Sequence, residues 1–517
     1  MNFEVFFVLL ALAGMVIALI KDLMRPGMIL FSVVVLFLCV GILTPREMLE
    51  GFSNKGMITV AMLFLVSEGI RQSGTLSQIF TKFLPKGETT VRRSQARLLP
   101  ILTGMSAFLN NTPMVVIFAP IIKRWAEGVK LPPTKFLIPL TYAVSLGGIC
   151  TLIGTSTNLV VNGMIMEAGY KGLSMFEIGK IGVPIAIVGI LFLILFSNKL
   201  LPESSANHSE EMSEAEEKEG WHKIEAVLGP RFPGINKTLG EFNFTRHYGA
   251  IVKEVKRGGQ RLTGNLDDIR LHEKDTLILW GDDSFIPTWG ESSVFLILAN
   301  GKEETKPIST KKRWFALGLF LFMIAGATIG ELPATKEAFP DIQLDMFFFV
   351  CITTIIMAWA RIFPARKYTK YISWDILITI ACAFAISKAI ENSGVAAMAA
   401  RYIISLSETF GPYILLAMTF LITAFFSQLI TNNAAAALGF PVALSVATQL
   451  GVNPMPFFMV ICVAASTSFC TPICYQTNMI VQGIGGYSFM DFVKIGTPLT
   501  IIVFLMAIFL APIIWPF

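Results

Sequence analysis

The sequence predicts a polytopic α-helical membrane protein made of two inverted repeats, each with a re-entrant hairpin and a broken helix. The chain has 517 residues, of which 54% are hydrophobic and 15% are charged, and its mean hydropathy is +0.65. Long apolar runs with so little charge are typical of chains that cross a bilayer repeatedly. These runs are interrupted by polar residues twice in the same order, about 320 residues apart. The expected total is about 10 crossings plus 2 hairpins.

The first interruption in each half is a polar triplet between two apolar arms. The triplets are Asn110, Asn111 and Thr112 in the first half, and Thr431, Asn432 and Asn433 in the second. Adjacent amides in hydrocarbon are unfavourable unless they line a cavity or bind a ligand. Two half-helices that enter from one side would bury the triplet at their tip. We therefore predict hairpins at about 97–122 and 411–447.

A second polar interruption follows each triplet, at 147–158 in the first half and 468–478 in the second. Shorter motifs before and after them also match between the halves. Interrupted apolar segments at corresponding places in two halves indicate the binding site of a transporter. The alternative is that small and amide residues only join packed membrane helices, and four matching motifs in one order favour the transporter.

Composition divides the chain into four parts. They are membrane repeats at 1–202 and 312–517, an acidic linker at 203–220, and a polar segment at 221–305. The Glu- and Ser-rich composition of the linker is typical of solvated, disordered chain. Short alternating apolar runs in the polar segment predict the strands of a small α+β domain.

The predicted loops differ in their content of Lys and Arg. If the N-terminus lies outside, the outer loops hold only Arg46, Lys55, Lys171, Lys180, Lys336 and Arg401. Because cytoplasmic loops carry the excess of basic residues, we predict that both termini lie outside the plasma (inner) membrane and that residues 203–312 are cytoplasmic. An odd number of crossings in each half then inverts the second half relative to the first. The two hairpin tips can meet near the midplane.

The tips and breaks supply groups that suit an anion and a hard cation. Helix N-termini present free N–H groups and a partial positive charge, and amide, hydroxyl and carbonyl oxygens suit Na⁺. Neither triplet contains a charged residue, so sodium would provide the countercharge of the anion and couple the two binding events. Glu68 and Asp375 are the nearest carboxylates for a proton-coupled alternative, although structural roles are favoured for both.

The triplets, with Gly154-Thr-Ser-Thr-Asn158 and Tyr475-Gln-Thr-Asn478, resemble the divalent-anion:sodium symporter (DASS) family of citrate-transporter-like proteins. The similarity covers nearly all of 1–200 and 312–517. It implies sodium-coupled symport of a small divalent anion, either sulfate or a di- or tricarboxylate, by an elevator-type mechanism in a homodimer. The family carries Ser-Asn-Thr at each tip. In the first triplet of this chain, Asn110 stands where the family has serine. In the second triplet, only the central Asn432 matches the family pattern.

The resemblance also implies the site residues. Substrate-binding positions would be Asn110, Asn111, Thr112, Thr157, Asn158, Thr431, Asn432, Asn433, Thr477 and Asn478. The sodium ligands would be Ser106, Asn111 and Gly154 at one site, and Ser427, Asn432, Ser468 and Thr471 at the other. Na⁺ is the coupling ion that this implies, and no organic cofactor is expected.

The polar segment has a resemblance of its own. Residues 233–242, 248–252 and 271–281 resemble a TrkA-C domain, the C-terminal part of RCK regulators. This implies either a regulator that binds a small ligand at 221–305 or a rigid spacer for dimerisation.

Two alternatives to the sodium symporter remain open. One is a proton-coupled or arsenite/oxyanion carrier of the same superfamily, and the other is an RCK-regulated cation transporter or channel. An enzyme is not predicted, because the sequence contains no catalytic triad, metal cluster or nucleotide fingerprint. The expected partners are the lipid bilayer and a small anion, and no nucleic acid.

Overall fold

The architecture comes from a computed structural model, which describes most of the chain. The described residues are 3–517 except 22, 86, 204–220, 230–231, 258–259, 263, 283–284, 286–288, 290–293, 301–309, 331, 340, 400, 402–410 and 473–474. The predicted acidic linker, apart from Glu203, lies outside the described residues.

Helices occupy the apolar runs of the first half. In chain order they are α1 (Phe3–Ile20), α2 (Pro26–Val40), α3 (Pro45–Glu50), α4 (Lys55–Ser73), α5 (Thr75–Phe83), α6 (Val91–Ser106), α7 (Asn111–Gly128), α8 (Thr134–Gly148), α9 (Ser156–Glu167) and α10 (Gly179–Leu200). Capping side chains set several of their starts. Thr44 and Glu47 form a reciprocal capping box at α3, and Asn54 accepts the Gly56 N–H at α4. Such caps satisfy N–H groups that the first helical turn leaves free.

In the described part of the polar segment, the chain forms strands and short helices. They are β1 (Trp221–Leu228), α11 (Leu239–Phe242), α12 (Phe244–Tyr248), β2 (Ile251–Arg257), β3 (Gln260–Arg261), β4 (Thr276–Asp282) and β5 (Phe295–Asn300). The strands form one antiparallel sheet in the order β3-β2-β4-β1-β5. We call residues 221–300 the insert.

The second half repeats the helical pattern. The α-helices whose full extent lies in its described residues are α13 (Thr310–Gly330), α14 (Pro333–Ala338), α15 (Met346–Trp359), α16 (Tyr368–Tyr371), α17 (Trp374–Asn392), α18 (Gly411–Leu429), α19 (Asn432–Leu450), α20 (Met455–Ala465), α21 (Gln476–Gly485) and α22 (Phe489–Ile514). The chain is a multi-pass membrane protein. Within its described residues, six helices are long and apolar enough to cross a bilayer, or seven if a pair bent by 57° counts as one span.

This count is lower than the predicted number of crossings, and two of the six helices, α18 and α19, are the arms of the predicted second hairpin. Helix length explains part of the difference. α2, α15 and α20 have 15, 14 and 11 residues. A helix rises about 1.5 Å per residue, so these helices are shorter than the roughly 30 Å of hydrocarbon. The number of crossings in a bilayer therefore stays a prediction.

Each predicted hairpin is a helix–turn–helix. α6 and α7 are joined by residues 107–110, and α18 and α19 are joined by 430–431. The first pair extends beyond the predicted bounds of 97–122. Hydropathy ends the run at the basic residues, but Arg is a good helix former, and Thr90 accepts the Arg93 N–H at the true start of α6.

Each predicted broken segment is also two helices with a non-helical stretch between them. The breaks are at 149–155, between α8 and α9, and, among the described residues between α20 and α21, at 466–472 and 475. The hairpin and broken helices pack together, α6 and α7 on α8, and α18 and α19 on α20. This packing brings the four polar interruptions into one region.

Glu68 and Asp375 lie outside this region and have structural partners. Glu68 accepts from the Arg71 guanidinium at 2.6 and 2.7 Å and from the Gln72 amide. Asp375 accepts the Gly27 N–H at 3.2 Å, at the start of α2. A carboxylate at a helix N-terminus is stabilised by the helix dipole.

The insert contacts the membrane helices through β1 and β4. The Lys123 ammonium at the end of α7 pairs with Glu225 of β1 at 3.0 Å, and both side chains are about one-quarter exposed. The Thr276 hydroxyl of β4 lies 3.5 Å from the Gly483 carbonyl of α21. Val227 of β1 is buried in the same apolar cluster as the membrane helices. The insert therefore rests on one helix from each half.

Candidate functional site

The first hairpin tip forms a cluster of three oxygen atoms. The Ser106 hydroxyl, at the end of α6, lies 2.9 Å from Asn111 Oδ1 and 2.8 Å from the Val144 carbonyl of α8. Ser106 and Asn111 are both buried. We call these three groups oxygen cluster 1.

The second tip forms the corresponding cluster. The Ser427 hydroxyl lies 3.3 Å from Asn432 Oδ1 and 2.8 Å from the Ala465 carbonyl. The spacings along the chain, five and 38 residues, are the same as in cluster 1. Ser468 adds a fourth oxygen, 2.6 Å from Ser427 Oγ and 2.8 Å from Asn432 Oδ1. We call this oxygen cluster 2.

A second matched set of hydrogen bonds holds the breaks. Asn158 donates its amide to the carbonyls of Gly148 and Thr151 at 3.1 and 2.9 Å. Asn478 donates in the same way to Ser468 and Thr471, at 2.7 and 3.1 Å. Since both bonds of each amide go to the chain itself, only the two Oδ1 atoms remain for other partners.

Close backbone packing explains the glycines of the first break. A Cβ on Gly148 would lie 3.0 Å from both polar atoms of the Asn111 amide, and one on Gly154 would lie 2.6 Å from the Gly148 carbonyl. Any larger residue would force these groups apart. Gly154 therefore shapes cluster 1 through its backbone. Its counterpart region in the second break contains Cys474, which lies outside the described residues.

The two halves are also joined directly at the site. The Asn111 amide donates to the Tyr475 hydroxyl at the start of α21. In the reverse direction, Thr157 and Ser156 at the start of α9 donate to Asn433 Oδ1, at 3.0 and 3.4 Å. Thr141 donates to Asn478 Oδ1 at 3.0 Å. Each broken helix thus contacts the tip or break of the opposite half.

Three half-helices begin at this site without a side-chain cap. Asn110, Thr155 and Tyr475 are the N-cap residues of α7, α9 and α21, and none of them makes a side-chain cap hydrogen bond. Thr431 does cap α19, by accepting the Ala434 N–H. Uncapped N-termini leave N–H groups and a partial positive charge available to an anion.

Several buried polar atoms of the site have no partner among the described residues. They are Asn158 Oδ1, Thr471 Oγ1 and Thr477 Oγ1. Buried polar groups are nearly always hydrogen-bonded, so such exceptions indicate a bound water, ion or ligand. The unpaired Thr471 hydroxyl follows Ser468 of cluster 2 by three residues and fits the requirements of a sodium ion, which is coordinated by oxygen atoms.

The structure brings together most of the residues that sequence reasoning assigned to the site. Asn110 and Thr112 flank the Asn111 cluster and are half-buried. Sequence reasoning missed the contacts of Thr141, Ser156 and the Tyr475 hydroxyl, as well as the carbonyls of clusters 1 and 2. In the described part of the chain, no group of three or more His, Cys, Asp or Glu residues could hold a metal ion. The oxygens here are uncharged and suit an alkali cation.

Comparison with known proteins decides the family. A family model described as a citrate transporter matches residues 14–358 and 337–517, which is nearly the whole chain. The chain belongs to the citrate transporter family. It is therefore a transporter of the DASS type, as the tip motifs predicted, rather than an enzyme. The resemblance of the insert to TrkA-C stays a prediction.

Named relatives agree with this assignment. Sodium/sulfate cotransporter 1 of Chlamydomonas reinhardtii is 32% identical over 57% of this chain and 33% of its own length. The sodium-dependent dicarboxylate transporter SdcS of Staphylococcus saprophyticus is 23% identical over 91% of this chain and 79% of its own. The crystal structure of the Alcanivorax borkumensis YdaH transporter is similar in fold, with a TM-score of 0.53 and 14% identity over 90% of this chain and 86% of that one.

Proposed function

We propose that this transporter carries a small divalent anion into the cell together with sodium ions. The observation that carries the proposal is the pairing of two uncharged oxygen clusters with three uncapped helix N-termini in one region. The clusters suit cations, and the N-termini suit an anion. The names of the sodium/sulfate and sodium/dicarboxylate relatives support both halves of this statement.

Charge explains the coupling. The two tips and the breaks contain no charged side chain between 103 and 115, 147 and 158, 424 and 436, or 466 and 478. A divalent anion at this place would face only partial charges, and an isolated charge in a low-dielectric site is strongly unfavourable. Sodium ions in clusters 1 and 2 would offset its charge, and each ligand would then raise the affinity of the other.

We propose a sliding, elevator-type movement for the transport step. The hairpin and broken helices form the moving part, whereas α2 packs on α17 and α4 packs on α15 to form the support. α17 also packs on α19, so this contact would lie at the sliding surface.

A disulfide joining α17 to α19 would then stop uptake, and unchanged uptake in the locked protein would contradict the sliding movement. We also propose that the two halves are inverted repeats, that both termini lie outside the cell and that the protein is a homodimer.

The test is uptake of labelled sulfate and labelled succinate into proteoliposomes. We expect uptake of at least one of them with an inward sodium gradient, and background uptake when choline replaces Na⁺. Uptake that depends on a proton gradient and is the same with and without sodium would favour the proton-coupled alternative. Single-channel currents would favour the regulated channel, and the absence of any anion uptake would contradict the proposed function.

We also propose that the insert regulates transport through its contacts with α7 and α21. The partly buried Lys123–Glu225 pair joins it to the arm of the first hairpin. We expect Lys123→Glu to change the rate of uptake by a few fold while sodium affinity stays the same, because the pair lies away from the clusters. The double variant Lys123→Glu with Glu225→Lys should restore the rate. No rescue by the double variant would contradict a role for this ion pair.

A further inference from the structure

One difference between the two halves of the site lies at the N-cap residue of a half-helix. Tyr475 is the N-cap of α21, and Thr155 is the N-cap of α9, with similar extended backbones (φ −121°, ψ 119° and φ −141°, ψ 147°). A bulky phenol therefore stands in the second half where the first half has a small hydroxyl residue. Both positions begin an uncapped half-helix of at least ten residues. The space for an anion is thus reduced on one side only.

The hydroxyl of Tyr475 has a defined partner across the site. Asn111 donates its amide N–H to this hydroxyl, so Asn111 Oδ1 is turned towards Ser106 in oxygen cluster 1. In the second half, the corresponding amide of Asn432 is oriented by Ser468, whose hydroxyl donates to Asn432 Oδ1 at 2.8 Å. Ser468 has no counterpart in the first half, where glycine stands at position 148. Tyr475 therefore positions a predicted sodium ligand.

A hydroxyl group without a hydrogen-bond partner lies two residues after Tyr475. Thr477 is fully buried, and its hydroxyl has no partner among the described residues. Its counterpart Thr157 donates to Asn433, which stands where the first triplet has the shorter Thr112. The Thr477 hydroxyl and the uncapped N-terminus of α21 are therefore both available to one anionic group. They lie on the side of the site where Tyr475 takes up space.

We propose that Tyr475 is a specificity-determining residue, which restricts the site to a compact tetrahedral oxoanion of the sulfate type seated against Thr477. This inference rests on the proposed sodium-coupled anion transport. A sulfate ion presents all its oxygens around one centre, so one helix N-terminus and one hydroxyl can bind it. A C4-dicarboxylate needs a second subsite for its other carboxylate several ångströms away, and in this proposal the Tyr475 ring occupies that space.

The test compares wild-type protein with Tyr475→Phe and Tyr475→Thr in proteoliposomes. Wild type should take up sulfate in preference to succinate by about tenfold or more. Tyr475→Phe keeps the ring and loses the hydroxyl. It should keep this preference, but need about five- to tenfold more sodium for half-maximal uptake, because Asn111 loses one hydrogen bond. Tyr475→Thr copies the first half and should lower the preference for sulfate about tenfold.

The outcomes separate this inference from the function on which it rests. Equal uptake of sulfate and succinate by the wild type would overturn the role of Tyr475 and leave sodium-coupled transport standing. An unchanged preference in a folded Tyr475→Thr variant would overturn it too. Should that variant not fold, the wild-type preference and the sodium dependence of Tyr475→Phe still decide. Uptake of neither anion would contradict the proposed function, and this inference with it.

Discussion

Asn111→Ala and Asn432→Ala should each reduce sodium-dependent anion uptake to background while leaving the protein folded. Each asparagine supplies an oxygen to its cluster, and each is the first residue of the second helix of its hairpin, next to the predicted anion. Hydrogen bonds and contacts to charged groups contribute about 1.5–3 kcal/mol each. Loss of two such contacts corresponds to about 100-fold or more, since 1.4 kcal/mol is a factor of ten.

The measurement is initial uptake in proteoliposomes, with size-exclusion profiles of each variant as the folding check. Asn265→Ala is the matched control, because Asn265 is exposed in the insert and its side chain makes no cap hydrogen bond. Its uptake should equal that of the wild type. Wild-type uptake in either tip variant would show that the asparagines are not the ligands, and it would remove the basis of the site.

Asn158→Asp and Asn478→Asp should be the most destabilising isosteric changes at the site. Both side chains are buried, and both amides hold two backbone carbonyls across a helix break. A carboxylate has the same shape but accepts hydrogen bonds where the amide donated them. A buried charge that faces unpaired carbonyls costs about 3–5 kcal/mol. We expect a lower Tm in detergent and loss of uptake, because the breaks carry cluster carbonyls and helix N-termini.

Asn162→Asp provides the control on the same helix. Asn162 is also buried, but its Oδ1 accepts the Leu173 N–H at 2.6 Å, and an aspartate can keep that bond. Its Tm should fall much less than that of Asn158→Asp. Equal destabilisation at positions 158 and 162 would mean that burial of the charge dominates and that the two donated hydrogen bonds are unimportant.

Much of the fold follows from local sequence. Hydropathy located the helices, and the repeated triplets located both turns, because an amide pair between apolar arms is unfavourable in hydrocarbon unless the chain turns there and buries it. The pairs Ser106–Asn111 and Ser427–Asn432 were expected from the resemblance to the symporter family. They are five residues apart across a tight turn, so local geometry alone brings them together.

Contacts between distant segments were not predictable in this way. Helical periodicity indicates which face is apolar, but it does not say which helix covers that face. The Tyr475 hydroxyl accepts a hydrogen bond from Asn111, which is 364 residues away in the sequence. The Val144 and Ala465 carbonyls reach the clusters because α8 and α20 pack against the hairpins. Backbone carbonyls carry no residue-type signal at all. The position of the insert against α7 and α21 likewise depends on tertiary packing.

The most direct test of sodium coupling is whether anion binding requires sodium. Titration calorimetry of purified protein would measure sulfate affinity in sodium chloride and in choline chloride at equal ionic strength. Because the site has no fixed positive charge, we expect sulfate affinity to rise at least about tenfold in sodium, and sodium affinity to rise by the same factor in sulfate. Equal sulfate affinity in sodium and choline would contradict the claim that sodium supplies the countercharge.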